Sequence, residues 1–171
     1  IKAMVDLTPA EITALETPVT GCDTLADFEA EPAPFAPGKH VVTWASCDSK
    51  GNSGHDEQTV NVRPLVSVTA GQSVGEGQVV NIDVVLNGEA IAYPATVDYS
   101  LAGGTATAGD DFDGIDGTVT FTDSGDVGVI NFNTETDVLT EADETVRVTL
   151  FNPVNIALSN AKRHIVTITE N

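Results

Sequence analysis

The sequence predicts an all-β chain built as two tandem immunoglobulin-like antiparallel β-sandwich modules. Three observations carry that prediction. Val, Thr and Gly abound while aromatics make up only 5% of the 171 residues, which suits short strands joined by many turns. Apolar and polar residues alternate with period two in one segment after another. Gly, Asn, Asp and Pro punctuate those segments, and the one helix candidate, Pro9 to Leu15, is too short to stand alone.

The elements follow in order. Lys39 to Cys47 alternates around Trp44, and Glu57 to Val62 alternates again. Between them lies the turn-rich run Asp48-Ser49-Lys50-Gly51-Asn52-Ser53-Gly54, so the pair reads as a hairpin. Arg63-Pro64 breaks the pattern, because proline cannot donate to a ladder and restricts the residue before it. Seven strand-like stretches follow: Leu65 to Thr69, Gln78 to Leu86, Ala95 to Leu101, Gly117 to Phe121, Val127 to Asn133, Thr145 to Phe151 and Arg163 to Thr169. Seven short strands in about a hundred residues is the count of an immunoglobulin-type sandwich. The predicted division is therefore residues 1–64 and residues 65–171.

Charge excludes whole classes of partner. The chain carries 26 acids against 7 bases, a formal net charge of -19. No basic footprint exists for nucleic acid or an anionic membrane surface. With 41% hydrophobic residues the chain is too apolar for acidic disorder. No apolar run approaches the length of a membrane span, and the sequence reads as a fragment of a longer protein.

The acids are unevenly placed. Residues 1–64 hold 10 acids and 4 bases, whereas residues 65–171 hold 16 acids and 3 bases, a net -13. In a sandwich whose strands each cross the domain, successive loops alternate between its two ends. The loops after the first, third and fifth strands, with the end of the seventh, then share one pole. That pole receives Glu76, Asp110, Asp111, Asp113, Asp116, Glu135, Asp137, Glu141, Asp143, Glu144 and Glu170, which is 11 of the 16 acids; the other receives Glu89, Asp123 and Asp126. Carboxylates gathered so densely repel one another unless a cation neutralises them. Hard oxygen ligands without His or Cys suit Ca²⁺, while Mg²⁺ prefers fewer carboxylates and retained waters. The alternative is a solvated acidic end that aids solubility.

The second module resembles the Calx-beta domain over Leu65 to Asn171. Val74-Gly75-Glu76-Gly77 matches an early acidic turn of that family. Val97-Asp98-Tyr99, Gly104-Thr105-Ala106 and Ala108-Gly109-Asp110-Asp111-Phe112 match its central stretch, with Phe112 in place of the usual tyrosine. Gly117 to Phe121, Glu141 to Leu150 and Val166-Thr167-Ile168 match the strands that follow. The resemblance implies Ca²⁺ ligands at Glu76, Asp111, Asp137, Glu141, Glu144 and Glu170, and Asp110 beside Asp111 completes the candidate set. Where the strongest binders carry consecutive aspartates, this chain has Thr134-Glu135-Thr136-Asp137.

The first module resembles hyalin-repeat and related immunoglobulin-like modules through Phe35 to Trp44 and Asp48 to Asn52. Such modules are extracellular spacers and adhesion elements. In that setting Cys22 and Cys47, the only cysteines, suggest a disulfide; two buried free thiols are the alternative. His40, His55 and His164 match no zinc spacing. Asp123-Ser124-Gly125 has the tripeptide of aspartic proteases but lies where a turn is expected, without a partner carboxylate. No G-x-S-x-G, H-E-x-x-H or P-loop occurs.

The expectation is thus a non-enzymatic, Ca²⁺-binding adhesion or spacer segment of a secreted or cell-surface bacterial protein. Its expected partners are neighbouring domains of the same chain and a cell-surface protein or carbohydrate. The alternatives are accessory modules of a secreted hydrolase or the Ca²⁺-sensing region of an exchanger.

Overall fold

The computed structural model describes residues 35–47, 53–138 and 140–169. The chain divides into two compact units, the second holding Asn61–Asn171 together with Ala36–Lys39. Among the described residues of the first third, β1 (Gly38–Cys47) and β2 (Ser53–Val62) form a two-stranded sheet. The expected hairpin is therefore present, with its second strand beginning four residues before Glu57. Cys22 lies outside the described residues, and so does the Cys22–Cys47 pairing.

The second unit is a sandwich of two sheets. One contains, in order, β10 (Ala157–Leu158), β3 (Leu65–Val68), β5 (Val79–Leu86) and β8 (Gly128–Asn133). The other contains β4 (Gly71–Gly75), β11 (Arg163–Thr169), β9 (Glu144–Val154), β6 (Ala95–Gly103) and β7 (Gly117–Phe121). Alternation decides which side chains face inward. β5 buries Val80, Ile82 and Val84 and exposes the residues between them, while β8 buries Ile130 and Phe132. Across the gap lie Val97, Val119, Phe121, Val146, Val148, Leu150, Val166 and Ile168. Each such side chain contributes about 1.5–3 kcal/mol by leaving water, so a small aliphatic core suffices to close the sheets.

All seven expected strands are present, Gly117–Phe121 and Arg163–Thr169 with the expected bounds. Two further strands are not legible from alternation. β4 carries a single bulky apolar residue, Val74, and exists because it lies parallel along β11, pairing Gly71 with Ile165 through to Gly75 with Thr169. β10 has two residues and pairs parallel with β3.

The first expected strand is β3, and the chain then crosses through Thr69 and Ala70 into β4 of the other sheet. His164 of β11 is fully buried there, and its Nδ1 lies 2.8 Å from the carbonyl oxygen of Thr69. A carbonyl only accepts, so Nδ1 carries the proton and donates. Val68 N–H donates to Ala161 O at 2.9 Å on the other side of the kink. This crossover carries the chain from β3 across to β11 and delivers Glu76 to the end of that strand.

Candidate metal centre

Three loops build the acidic pole, and buried anchors hold each of them. The turn after β4 is tight. Gly77 has φ +66°, and a Cβ there would lie 2.5 Å from Thr136 Cγ2, so glycine answers both the backbone and the space. Glu76 N–H donates to Thr169 O and Gly77 N–H to Glu135 O, each at 3.3 Å, which ties this turn to the end of β11 and to the loop before β9.

Thr134 is the second anchor and is only 2% exposed. Its Oγ1 accepts the Gln78 N–H at 2.9 Å and donates to Gly75 O at 3.0 Å, while its own N–H donates to Gln78 O at 2.9 Å. One hydroxyl therefore closes the polar backbone of two loops where water does not reach.

The loop between β6 and β7 is fixed by Phe112, 1% exposed and set edge-on to Phe132 with ring centroids 5.9 Å apart. The aromatic ring pins the position next to it. Asp111 Oδ2 accepts the Thr107 N–H at 2.6 Å, and Asp111 O accepts the Glu135 N–H at 2.9 Å. At the root of the loop Gly104 N–H donates to Thr145 O at 2.7 Å, holding it against the start of β9.

These anchors bring Glu76, Asp110, Asp111, Glu135, Asp137, Glu141 and Glu144 around one small pocket, with Ala142 and Ile168 completing its wall. Carboxylate oxygens of Asp111, Glu141 and Glu144 all lie within 4.8 Å of one another. Oxygens bound to one Ca²⁺ at 2.3–2.6 Å can be at most about 5 Å apart, so this trio fits a single ion without rearrangement. The electrostatics agree. Burial, a hydrogen bond to Asp111 and the charges of Asp111, Glu141 and Asp137 push the Glu144 carboxyl up from 4.5 to about 7. Without a cation, a proton on Glu144 relieves the repulsion.

Of the seven candidate ligands, Glu76, Asp110, Asp111, Asp137, Glu141 and Glu144 line the pocket, and Glu170 lies outside the described residues. Glu135 also lines the pocket but is missing from the expected ligand set, although loop parity places it at this pole. Other acids of the pole serve the scaffold. Asp113 accepts the Asn133 N–H at 2.6 Å and its Nδ2–H at 2.7 Å, bonds that hold its carboxyl below the usual range. Asp116 accepts the Leu101 N–H at 2.9 Å. At the opposite pole Asp126 Oδ2 accepts the Thr122 N–H at 2.7 Å and the Asp123 N–H at 3.0 Å, and Gly125 has φ +91°. Asp123-Ser124-Gly125 is therefore turn chemistry.

Fold and site together define a β-sandwich module with an acidic, loop-built cation pocket at one pole. The family model of the Calx-beta domain matches residues 56–171, and the chain belongs to that family. Among solved structures, the chain is similar to an apo-form Calx CBD1 domain, with 28% identity and a TM-score of 0.59 over 64% of this chain and 98% of that one. It is also similar to CBD12 from CALX1.2, with 29% identity and a TM-score of 0.57 over 61% of this chain. The calcium binding domain CBD12 of CALX1.1 matches at 28% identity, with a TM-score of 0.57 over 62% of this chain. The match spans 44% of each of these two CBD12 chains. Among curated proteins, none matches.

Proposed function

We propose that the second unit is a non-catalytic Ca²⁺-binding module in which Asp111, Glu141 and Glu144 form the centre of the site. Glu76, Asp110 and Asp137 supply further oxygens, and Glu170 joins them from the end of the chain. The observation that carries this reading is the 4.8 Å trio with its raised Glu144. A hard dication there replaces three-way repulsion with attraction and accepts the six to eight oxygens such a pole can offer. Calorimetric titration tests it. Ca²⁺ should bind far more tightly than Mg²⁺, and Asp111→Asn or Glu141→Gln should weaken Ca²⁺ binding at least about tenfold, the loss of one charge-assisted contact. Equal, weak responses to both ions in parent and variants would leave only a solvated acidic surface.

Two settings fit such a module, and the affinity separates them. The first is a spacer or adhesion segment of a secreted or cell-surface protein. There residues 1–64 form a hyalin-repeat-like module closed by a Cys22–Cys47 disulfide, and the partners are adjoining domains and a surface protein or carbohydrate. The second is a Ca²⁺-sensing region, which the likeness to the CALX domains supports. Extracellular modules bind Ca²⁺ at roughly 10⁻⁴–10⁻³ M and sensors at roughly 10⁻⁷–10⁻⁵ M, so one dissociation constant distinguishes the two.

A further inference from the structure

From Leu65 to the end, the chain has three bases, Arg147, Lys162 and Arg163, against 16 acids. All three lie on β9 or at the start of β11. β9 buries Val146, Val148 and Leu150, which turns Thr145, Arg147, Thr149 and Phe151 to the outer face of the five-stranded sheet. β11 buries His164, Val166 and Ile168, which turns Arg163, Ile165 and Thr167 the same way.

The register places Arg147 opposite Ile165 and Arg163 opposite Thr149. The two arginines are therefore diagonal neighbours, roughly 7–8 Å apart at the backbone. On the far side of Ile165 the next strand offers Gly71, which presents no side chain. Ile165 and Phe151 remain 39% and 37% exposed. Among the described residues none of the three cations is ion-paired. Asp98, opposite Phe151, is bonded instead to Thr118 and Asn152.

We propose that this outer face is a docking surface for an extended acidic peptide segment of a partner protein. Guanidinium groups recognise carboxylates through paired N–H donors, and both arginines stand apart from the unit's own acids. Carboxylates two residues apart in an extended chain are about 6.8 Å from one another on the same side, which matches the diagonal of Arg147 and Arg163. An apolar side chain two residues further on, past Arg163, meets the exposed Phe151, while Ile165 lies at the other end of the pair, opposite Arg147. A sulfated or uronic glycan is the weaker fit, because it needs a longer track of cations than two arginines within a strongly negative unit.

The test uses the full 171-residue protein and a fluorescein-labelled peptide, Ser-Glu-Ser-Glu-Ser-Leu-Ser, followed by anisotropy at low salt in EDTA. EDTA keeps a bound cation from bridging the peptide to the acidic pole. Saturable binding is expected, weakened about tenfold or more by Arg147→Gln with Arg163→Gln, as for two lost charged contacts. Exchanging the peptide's Glu residues for Gln should weaken it similarly. The double variant should melt like the parent, because both side chains point to solvent. Absence of saturable binding, or equal binding by the double variant, overturns the proposal. So does a heparin fragment that binds more tightly than the peptide in the same arginine-dependent way, which would assign the face to a glycan.

Discussion

Glu144 begins β9 with its carboxyl half-buried beside Asp111, Glu141 and Asp137, and its folded-state pKa is pushed up to about 7. Unfolded, the group titrates near 4.5. Between those values the folded state holds a proton that the unfolded chain has released. The stability linked to this group is complete below about 4.5 and is lost as pH rises through 7. In EDTA, urea melts from pH 5 to pH 8 should show the parent losing on the order of 1–2 kcal/mol relative to Glu144→Gln, after allowance for solvent screening. A flat difference between the two proteins would remove Glu144 from the cluster. In excess Ca²⁺ the carboxylate is the favoured form, so binding at pH 6.5 should release a proton. Calorimetry in buffers of different ionisation heat measures that release, and Glu144→Gln should abolish it. Asp113 gives the contrast. Its carboxylate is spent on Asn133, so Asp113→Asn should change Ca²⁺ affinity less than about twofold while Asp111→Asn changes it at least tenfold. Equal losses would mean that the pole attracts calcium by bulk charge.

The loops owe their positions to single buried groups in the elements beside them. Thr134→Val keeps the shape of the side chain but strips the oxygen that serves Gln78 N–H and Gly75 O. Leaving such groups unpaired should cost about 1–3 kcal/mol in urea denaturation, and the loosened turn should also weaken Ca²⁺ binding. Unchanged stability would show that water replaces the hydroxyl. This level of organisation was the least legible in the sequence. Period-two alternation exposes β5, β7, β8 and β11 because each buries every second residue. It misses β4, whose Gly71-Gln72-Ser73-Val74-Gly75 has no alternation to read and is held by a partner 94 residues away, as the pairing of Gly71 with Ile165 shows. The acidic pole was legible because parity depends only on the number of crossings. Which acids enter the pocket was not, since Asp111 and Asp113 are two residues apart and differ only in what Phe112 and Asn133 do to each. His164 shows the same limit: nothing local marks it as the buried clasp on Thr69.

Across the whole molecule the charge is lopsided, with seven acids around one pocket and the exposed arginines on a sheet face. Repulsion between the acids is screened by salt over a Debye length of about 10 Å at 0.1 M. Calorimetric scans in EDTA should therefore show the second unit melting higher as NaCl is raised from low to moderate concentration. With Ca²⁺ bound the dependence should shrink, and an equally steep salt response in both forms would place the dominant repulsion elsewhere. The parallel pairing of β4 with β11 bears on a different quantity, the response to pulling. β3 and β4 lead from the pole at Leu65 toward the acidic pole, and β11 runs the same way to end there at Thr169. Tension applied between Leu65 and Thr169 drags β4 and β11 in opposite senses along their common axis. The load then falls on all five paired positions at once, and the ladder must slide as a unit because it cannot be peeled open bond by bond. Single-molecule pulling between those residues should meet a higher rupture force than pulling between Gly117 and Gly128, which tugs a sheet-switching connection. The unit is in this sense a tensile link, strongest along the line in which the chain passes through it.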